Sequence, residues 1–66
     1  MQVVANGKLV DMADGATVSD LLAVLGLGGQ WVLVERNGEP VPRAALGTTA
    51  LVEGDRLELV RAVAGG

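Results

Sequence analysis

The fold is decided by residues 1–26, which read MQVVANGKLVDMADGATVSDLLAVLG. Near the start, Asn6-Gly7 separates two short runs of strand-forming residues. Both turn residues tolerate the positive φ angles of a two-residue hairpin turn, so this stretch predicts a β-hairpin. With that turn, Val3 lies opposite Val10 on the face expected to meet the core.

The second half of the stretch changes period and predicts a helix. Four aliphatic residues recur at i, i+3, i+4 and i+7, which is one face of a helix: Val18, Leu21, Leu22 and Leu25. Thr17 with Asp20 three residues later is typical of a capping box at the start. Gly26 is placed as a left-handed stop, and Leu27 can fold back to close the end.

The rest of the chain predicts two more strands joined by an irregular crossover. Residues 31–35 form a strand that Asn37-Gly38 ends, and the prolines at 40 and 42 then keep the crossover extended. Residues 44–46 predict a single helical turn, and residues 56–63 predict the last strand. Trp31 is expected to plug one end of a core that has no other aromatic residue.

The element order is therefore strand, strand, helix, strand, crossover, strand. A hairpin followed by one helix packed across a small mixed sheet is the β-grasp arrangement, so we expect an α+β fold. The predicted organisation is one domain over residues 1–63 and a flexible tail over residues 64–66.

The composition argues against an independent enzyme. The 66 residues include no cysteine and no histidine, which excludes a thiol nucleophile, a disulfide framework and imidazole chemistry. Ser19 is the single serine, with no histidine to activate it. No intrinsic catalytic residue and no metal site are therefore expected.

Charge and hydropathy restrict the partners and the location. The net charge of −3 argues against nucleic acid, whose phosphates would repel the chain. No apolar stretch reaches the roughly 20 residues of a membrane helix. The N-terminus is predicted to be a strand without a basic leader region, so the expected location is the cytoplasm.

The tail Ala64-Gly65-Gly66 carries the predicted chemistry. Glycine has no Cβ, so such a strand can pass through a narrow channel and present the carboxylate of Gly66 inside another protein. A carboxylate must first be activated, most simply as an acyl-adenylate. The chain has no phosphate-binding loop of its own, so ATP must come from a partner. The simpler alternative is a frayed end without a role.

These residues resemble the ThiS sulfur carriers of thiamine biosynthesis, part of the ubiquitin-like β-grasp group. The likeness runs from end to end, and its most discriminating part is the N-G-x-x-V-P-R stretch, residues 37–43. The other matching stretches are residues 1–3, 6–7, 14–18, 21–22, 34–36, 53–60 and 62–66. Two departures are Arg36, where an aliphatic residue is common, and the lack of an aromatic residue in 44–46.

The resemblance implies a protein substrate that binds no cofactor itself. In that family an E1-like adenylyltransferase of the ThiF type uses ATP and Mg²⁺ to adenylate the terminal glycine, here Gly66. Sulfur from a donor such as a cysteine desulfurase then gives a thiocarboxylate. Thiazole synthase of the ThiG type takes that sulfur. Gly65 and Ala64 would supply clearance for the tail.

Strand alternation indicates where partners would dock. The expected surface is the sheet face away from the helix, around Leu33, Val60 and Ala62, with Arg61 near the tail. Arg43 in the crossover is a further candidate, because it could pair with a carboxylate of a partner.

Three alternatives stay open at the level of sequence. The same tail chemistry could serve tRNA thiolation or molybdopterin synthesis. The chain could instead be a protein modifier that is joined to lysines, or a β-grasp binding module without tail chemistry. The sulfur donor, the affinities and the oligomeric state are not specified by the sequence.

Overall fold

Five strands and one helix make up the part of the chain that the computed structural model describes, residues 1–61. In chain order they are β1 (Gln2–Ala5), β2 (Lys8–Asp11), α1 (Val18–Val24), β3 (Val32–Arg36), β4 (Glu39–Val41) and β5 (Arg56–Arg61). A 3₁₀ turn at Arg43–Ala45 matches the helical turn predicted there. The predicted domain boundary at 63 and the tail lie outside the described residues.

The N-terminal hairpin forms in the predicted register. Val3 lies opposite Val10, and the φ angles of Asn6 and Gly7 are 50° and 82°. Val3 is fully buried, while Leu9 on the other face is exposed. The hairpin therefore buries one face, as the alternation predicts.

Helix α1 begins and ends with the predicted caps. The hydroxyl of Thr17 accepts from Asp20 N, and the Asp20 carboxylate accepts from Thr17 N, which completes the capping box. At the other end Gly26 has a φ of 75°, and Leu27 N donates to Leu22 O at 2.7 Å, as in a Schellman closure.

One residue of the predicted apolar helix face is not buried. Val18, Leu21 and Leu22 lie in the core, but Leu25 is 39% exposed. Leu25 is the C-cap residue with non-helical backbone angles, so it has already left the face that the helical period defines.

The sheet has the strand order β2-β1-β5-β3-β4. The contact between β1 and β5 is parallel and the other three are antiparallel, so the sheet is mixed. The buried strand residues and the buried face of α1 form one core cluster. This is the predicted β-grasp arrangement. No helix within residues 1–61 is long and apolar enough to cross a membrane.

The crossover is more regular than predicted, because its first part is a strand. β4 pairs antiparallel with β3 through Val34–Val41, Glu35–Pro40 and Arg36–Glu39. Asn37 and Gly38 form the turn, with φ angles of 52° and 85°. Pro40 is tolerated because β4 is an edge strand, where the missing N–H removes no ladder bond to a further strand.

The prediction for Trp31 was wrong. Its side chain is 56% exposed and does not close the core. The aliphatic residues of the sheet and helix fill the interior without it. Trp31 precedes β3, and the guanidinium carbon of Arg43 lies 3.9 Å from the centre of its ring.

Candidate functional site

The last strand, β5, is the element that would deliver the tail. It lies between β1 and β3 in the sheet and ends at Arg61, the last residue described. On the β3 side its pairing continues to Val32–Arg61. On the β1 side the ladder stops at Ala5–Leu57. The two edges of β5 are therefore held in different ways.

The side chain of Asn6 replaces the missing ladder beside the end of β5. Its Oδ1 accepts from Leu59 N at 2.7 Å, and its Nδ2 donates to Leu59 O at 3.0 Å. The backbone N of Asn6 also donates to Leu57 O at 2.9 Å. One turn residue thus satisfies both polar backbone groups of Leu59, two residues before the described part ends.

Asn37 holds the beginning of β5 in the same manner. Its backbone N donates to Arg56 O at 2.7 Å, and its Oδ1 accepts from Arg56 N at 2.9 Å. Both Asn-Gly turns of the sheet therefore bind β5 with their asparagine, one at each edge.

Asp55, directly before β5, is the buried acid of the described chain. Its carboxylate accepts from Arg36 Nε at 3.0 Å, Asn37 Nδ2 at 3.0 Å and Val52 N at 2.8 Å. Burial alone raises the pKa of Asp55. The hydrogen bonds from Val52, Asn37 and Arg36, together with the positive charge of Arg36, outweigh burial and leave the pKa below its ordinary value.

The outer face of the sheet carries two of the residues predicted to meet partners. Leu33 lies directly opposite Val60 across the β3–β5 ladder, and each side chain is 59% exposed. In the described ladder this pair is followed toward the tail only by Val32–Arg61. Arg61 is exposed but alternates to the other face, the face of Leu57 and Leu59.

Arg43, also predicted to meet partners, does not join this pair. Arg43 lies in the 3₁₀ turn after β4 and stacks on Trp31. It lines a cleft of about 260 Å³ together with residues of α1 and of the loop after it, such as Leu22 and Gly28. Ala62, Ala64, Gly65 and Gly66 lie outside the described residues.

A second cleft, of about 340 Å³, opens between the end of β2 and α1. Its lining includes Asp11, Asp14 and Asp20, so its charge is unfavourable for the phosphates of a nucleotide. Within residues 1–61 no group of three or more potential ligands is arranged to hold a metal ion.

The family follows from comparison of the whole chain. Residues 2–66 match the sequence model of the ThiS family. The chain belongs to the ThiS family. The crystal structure of the thiamine biosynthesis protein ThiS from Geobacter metallireducens is 36% identical to it. The alignment covers 100% of both chains with a TM-score of 0.80.

Two further proteins are similar to this ThiS family member. SAMP1 from Haloferax volcanii is 28% identical, with a TM-score of 0.65 over 98% of this chain and 97% of that one. A thiazole synthase from Paramagnetospirillum magneticum is 39% identical over 66 residues. That alignment covers the whole of this chain, which spans only 20% of the length of the thiazole synthase.

Proposed function

We propose that this chain is a sulfur carrier for thiazole formation in thiamine biosynthesis, with the carboxylate of Gly66 as its working group. The observation that carries the proposal is the family match over residues 2–66, which includes the Gly65-Gly66 tail. The relative called a thiazole synthase supports thiazole formation as the use of the sulfur.

The chemistry takes place in two steps on the tail. A carboxylate oxygen of Gly66 attacks the α-phosphorus of ATP, and pyrophosphate leaves with an acyl-adenylate formed. A sulfur nucleophile from the donor, such as a cysteine desulfurase, then attacks the acyl carbon and AMP leaves. Where the donor sulfur is a persulfide, this attack forms an acyl disulfide. A second thiol of the donor or of the adenylyltransferase then attacks the donor cysteine's sulfur, forms a disulfide with it and releases Gly66 as the thiocarboxylate, in which sulfur has replaced one oxygen. The thiocarboxylate is the better nucleophile and passes its sulfur to thiazole synthase of the ThiG type.

A partner has to supply the activation. The chain contains no cysteine or histidine, and the cleft next to α1 is acidic. An E1-like adenylyltransferase of the ThiF type would bring ATP and Mg²⁺ and would enclose the tail. The described domain would provide the surface that this enzyme recognises. Asn6 and Asn37 would keep β5 aligned through their hydrogen bonds to it.

The intact mass of the protein tests the carrier function. After incubation with ATP, Mg²⁺, a sulfide source and the cognate adenylyltransferase, we expect a gain equal to the mass difference between sulfur and oxygen. A variant without Gly66 should gain nothing. The proposal needs a free carboxylate at Gly66, which the starting mass also reports. An unchanged mass with an enzyme shown to be active would contradict it.

The sulfur acceptor needs a separate experiment. The thiocarboxylated protein should lose its sulfur when thiazole synthase and the remaining thiazole precursors are added. If the sulfur passes only to a tRNA-thiolating or molybdopterin-forming enzyme, the protein is still a sulfur carrier, but it serves that pathway and not thiazole formation. Covalent conjugates on lysines would identify a modifier instead.

A further inference from the structure

Two glutamates face each other on the outer side of the sheet. Glu35 on β3 lies directly opposite Glu58 on β5, and both side chains are exposed. Like charges directly opposite each other destabilise a sheet. The pair therefore does not serve the stability of the fold.

No lysine or arginine within residues 1–61 forms an ion pair with either glutamate. Within residues 1–61 the ion pairs join the amino group of Met1 to Asp14 and Arg36 to Asp55. Arg56 shares the outer face with Glu58 but makes no ion pair with it among these residues. Both carboxylates are thus available to a ligand.

The acidic pair lies beside the exposed apolar pair. Along both strands, Glu35 and Glu58 are followed toward the tail by Leu33 and Val60, on the same face. The two rows are separated by about 7 Å, since alternate residues of a strand face the same side. Approaching from the tail, a partner meets first the apolar row and then the acidic row.

We infer that Glu35 and Glu58 form a recognition site for a basic side chain of the enzyme that activates the tail. This rests on the proposed function. The complementary surface presents an apolar contact and, about 7 Å from it, an arginine or lysine. A planar guanidinium suits the site best, because it can donate to two carboxylates at once. Its charge also removes the repulsion between the two acids, which favours the complex over the free chain.

The double variant Glu35→Gln/Glu58→Gln tests the site. At low salt the KM of the adenylyltransferase for this variant should rise about tenfold, because attraction between charged surfaces steers association. The difference should shrink at high salt, where charges are screened. The kcat should not change, and the variant should be at least as resistant to urea as the original chain.

Asp11→Lys provides the matched control. Asp11 lies on β2 at the opposite edge of the same outer face, and its replacement by lysine raises the net charge by two, as the double variant does. We expect its KM to stay within about twofold, because a charge so far from the contact acts only through the screened field. If the control raises the KM as much as the double variant does, the effect comes from net charge alone, and the inference is overturned.

Glu58→Lys separates recognition from folding. It places opposite charges across the ladder, which should stabilise the free chain, yet it should raise the KM above that of the double variant. An unchanged KM for every charge variant overturns the inference but leaves the carrier function standing. Absence of any mass gain in the original chain contradicts the carrier function instead.

Discussion

Arg36 donates from Nε to Oδ2 of Asp55 at 3.0 Å, which ties the end of β3 to the residue that precedes β5. The Asp55 side chain is 3% exposed and that of Arg36 is 30% exposed, so the acid is buried and the arginine is partly open to solvent. Arg36 is one of the two departures from the family resemblance named in the sequence analysis. The ion pair gives this departure a physical reason, because the arginine neutralises a buried acid.

Asp55→Asn should destabilise the fold by about 2 kcal/mol, since its amide would turn a donor toward groups that already donate. Three donors surround the carboxylate, from Arg36, Asn37 and Val52. Urea unfolding followed by circular dichroism measures the change. Glu39→Gln, at an exposed position of β4, is the control and should unfold like the original chain. Equal urea midpoints for the original chain, Asp55→Asn and Glu39→Gln would show that the Asp55 carboxylate does not stabilise the fold.

The lowered pKa of Asp55 predicts a loss of stability in acid. In the unfolded chain the carboxyl titrates near its ordinary value of 3.8, and in the folded chain it titrates lower. The stabilisation is therefore complete above the unfolded pKa and is lost as the pH falls through the folded pKa. The free energy of unfolding, measured from pH 7 to pH 2, should decline more below pH 4 for the original chain than for Asp55→Asn. If the free energy of unfolding declines equally with pH in both proteins, the Asp55 carboxylate is not the source of the acid sensitivity.

The sequence predicts an element well where the signal is local. Asn6-Gly7 specifies the first hairpin because both residues must have positive φ, and the structure has them at 50° and 82°. Asn37-Gly38 is the same signal and adopts almost the same angles. It is interpreted above only as the end of a strand, followed by a crossover that Pro40 and Pro42 keep extended. The segment is nevertheless a strand, because proline is tolerated at the edge of a sheet.

Features that depend on distant parts of the chain could not be predicted in this way. Gly54-Asp55 predicts a turn, but only the approach of Arg36 and Asn37 makes its acid a buried centre of hydrogen bonds. The clamp of Asn6 on Leu59 joins residues 53 positions apart. Trp31 was assigned to the core by its size, whereas the volume of the aliphatic core decides whether it fits.

Asn6→Gly should loosen β5 next to the tail. Glycine keeps the positive φ of the turn, so the variant removes only the side-chain bonds to Leu59 N and O. We expect a loss of about 1–2 kcal/mol of stability and faster hydrogen exchange at the Leu59 amide. The Leu51 amide, which donates to Ala16 O away from the hairpin, is the internal reference for global opening.

Asn6→Asp distinguishes the two bonds of that clamp. Aspartate tolerates the same backbone angles, but its carboxylate cannot donate to Leu59 O and would repel that carbonyl. It should therefore be at least as destabilising as Asn6→Gly at neutral pH. If Asn6→Asp is as stable as the original chain and its Leu59 amide is still protected from hydrogen exchange, the bond from Asn6 Nδ2 to Leu59 O does not contribute to stability.

Val60→Asp should impair recognition without unfolding the protein. Val60 and Leu33 form the exposed apolar pair nearest the tail, and a charge there would be desolvated in a complex. The KM of the adenylyltransferase should rise at least tenfold, by analogy with other central interface residues. Leu9→Asp is the matched control, since Leu9 is 69% exposed on the same face but at the far edge. A KM unaffected by Val60→Asp would show that the enzyme docks elsewhere.

Arg43→Gln should change the fluorescence of Trp31 and leave the fold nearly unchanged. The chain has one tryptophan, and the Arg43 guanidinium carbon lies 3.9 Å from the centre of its ring, so the emission reports this contact directly. Such a stacked cation contributes about 0.5–1 kcal/mol at an exposed site, which bounds the loss of stability. Arg56→Gln removes the same charge away from the indole and should leave the emission as it was. If both variants have the emission of the original chain, the stacked pair does not persist in solution. If only Arg43→Gln changes it, Arg43 stacks on one face of the Trp31 indole in solution and is already engaged before any partner binds.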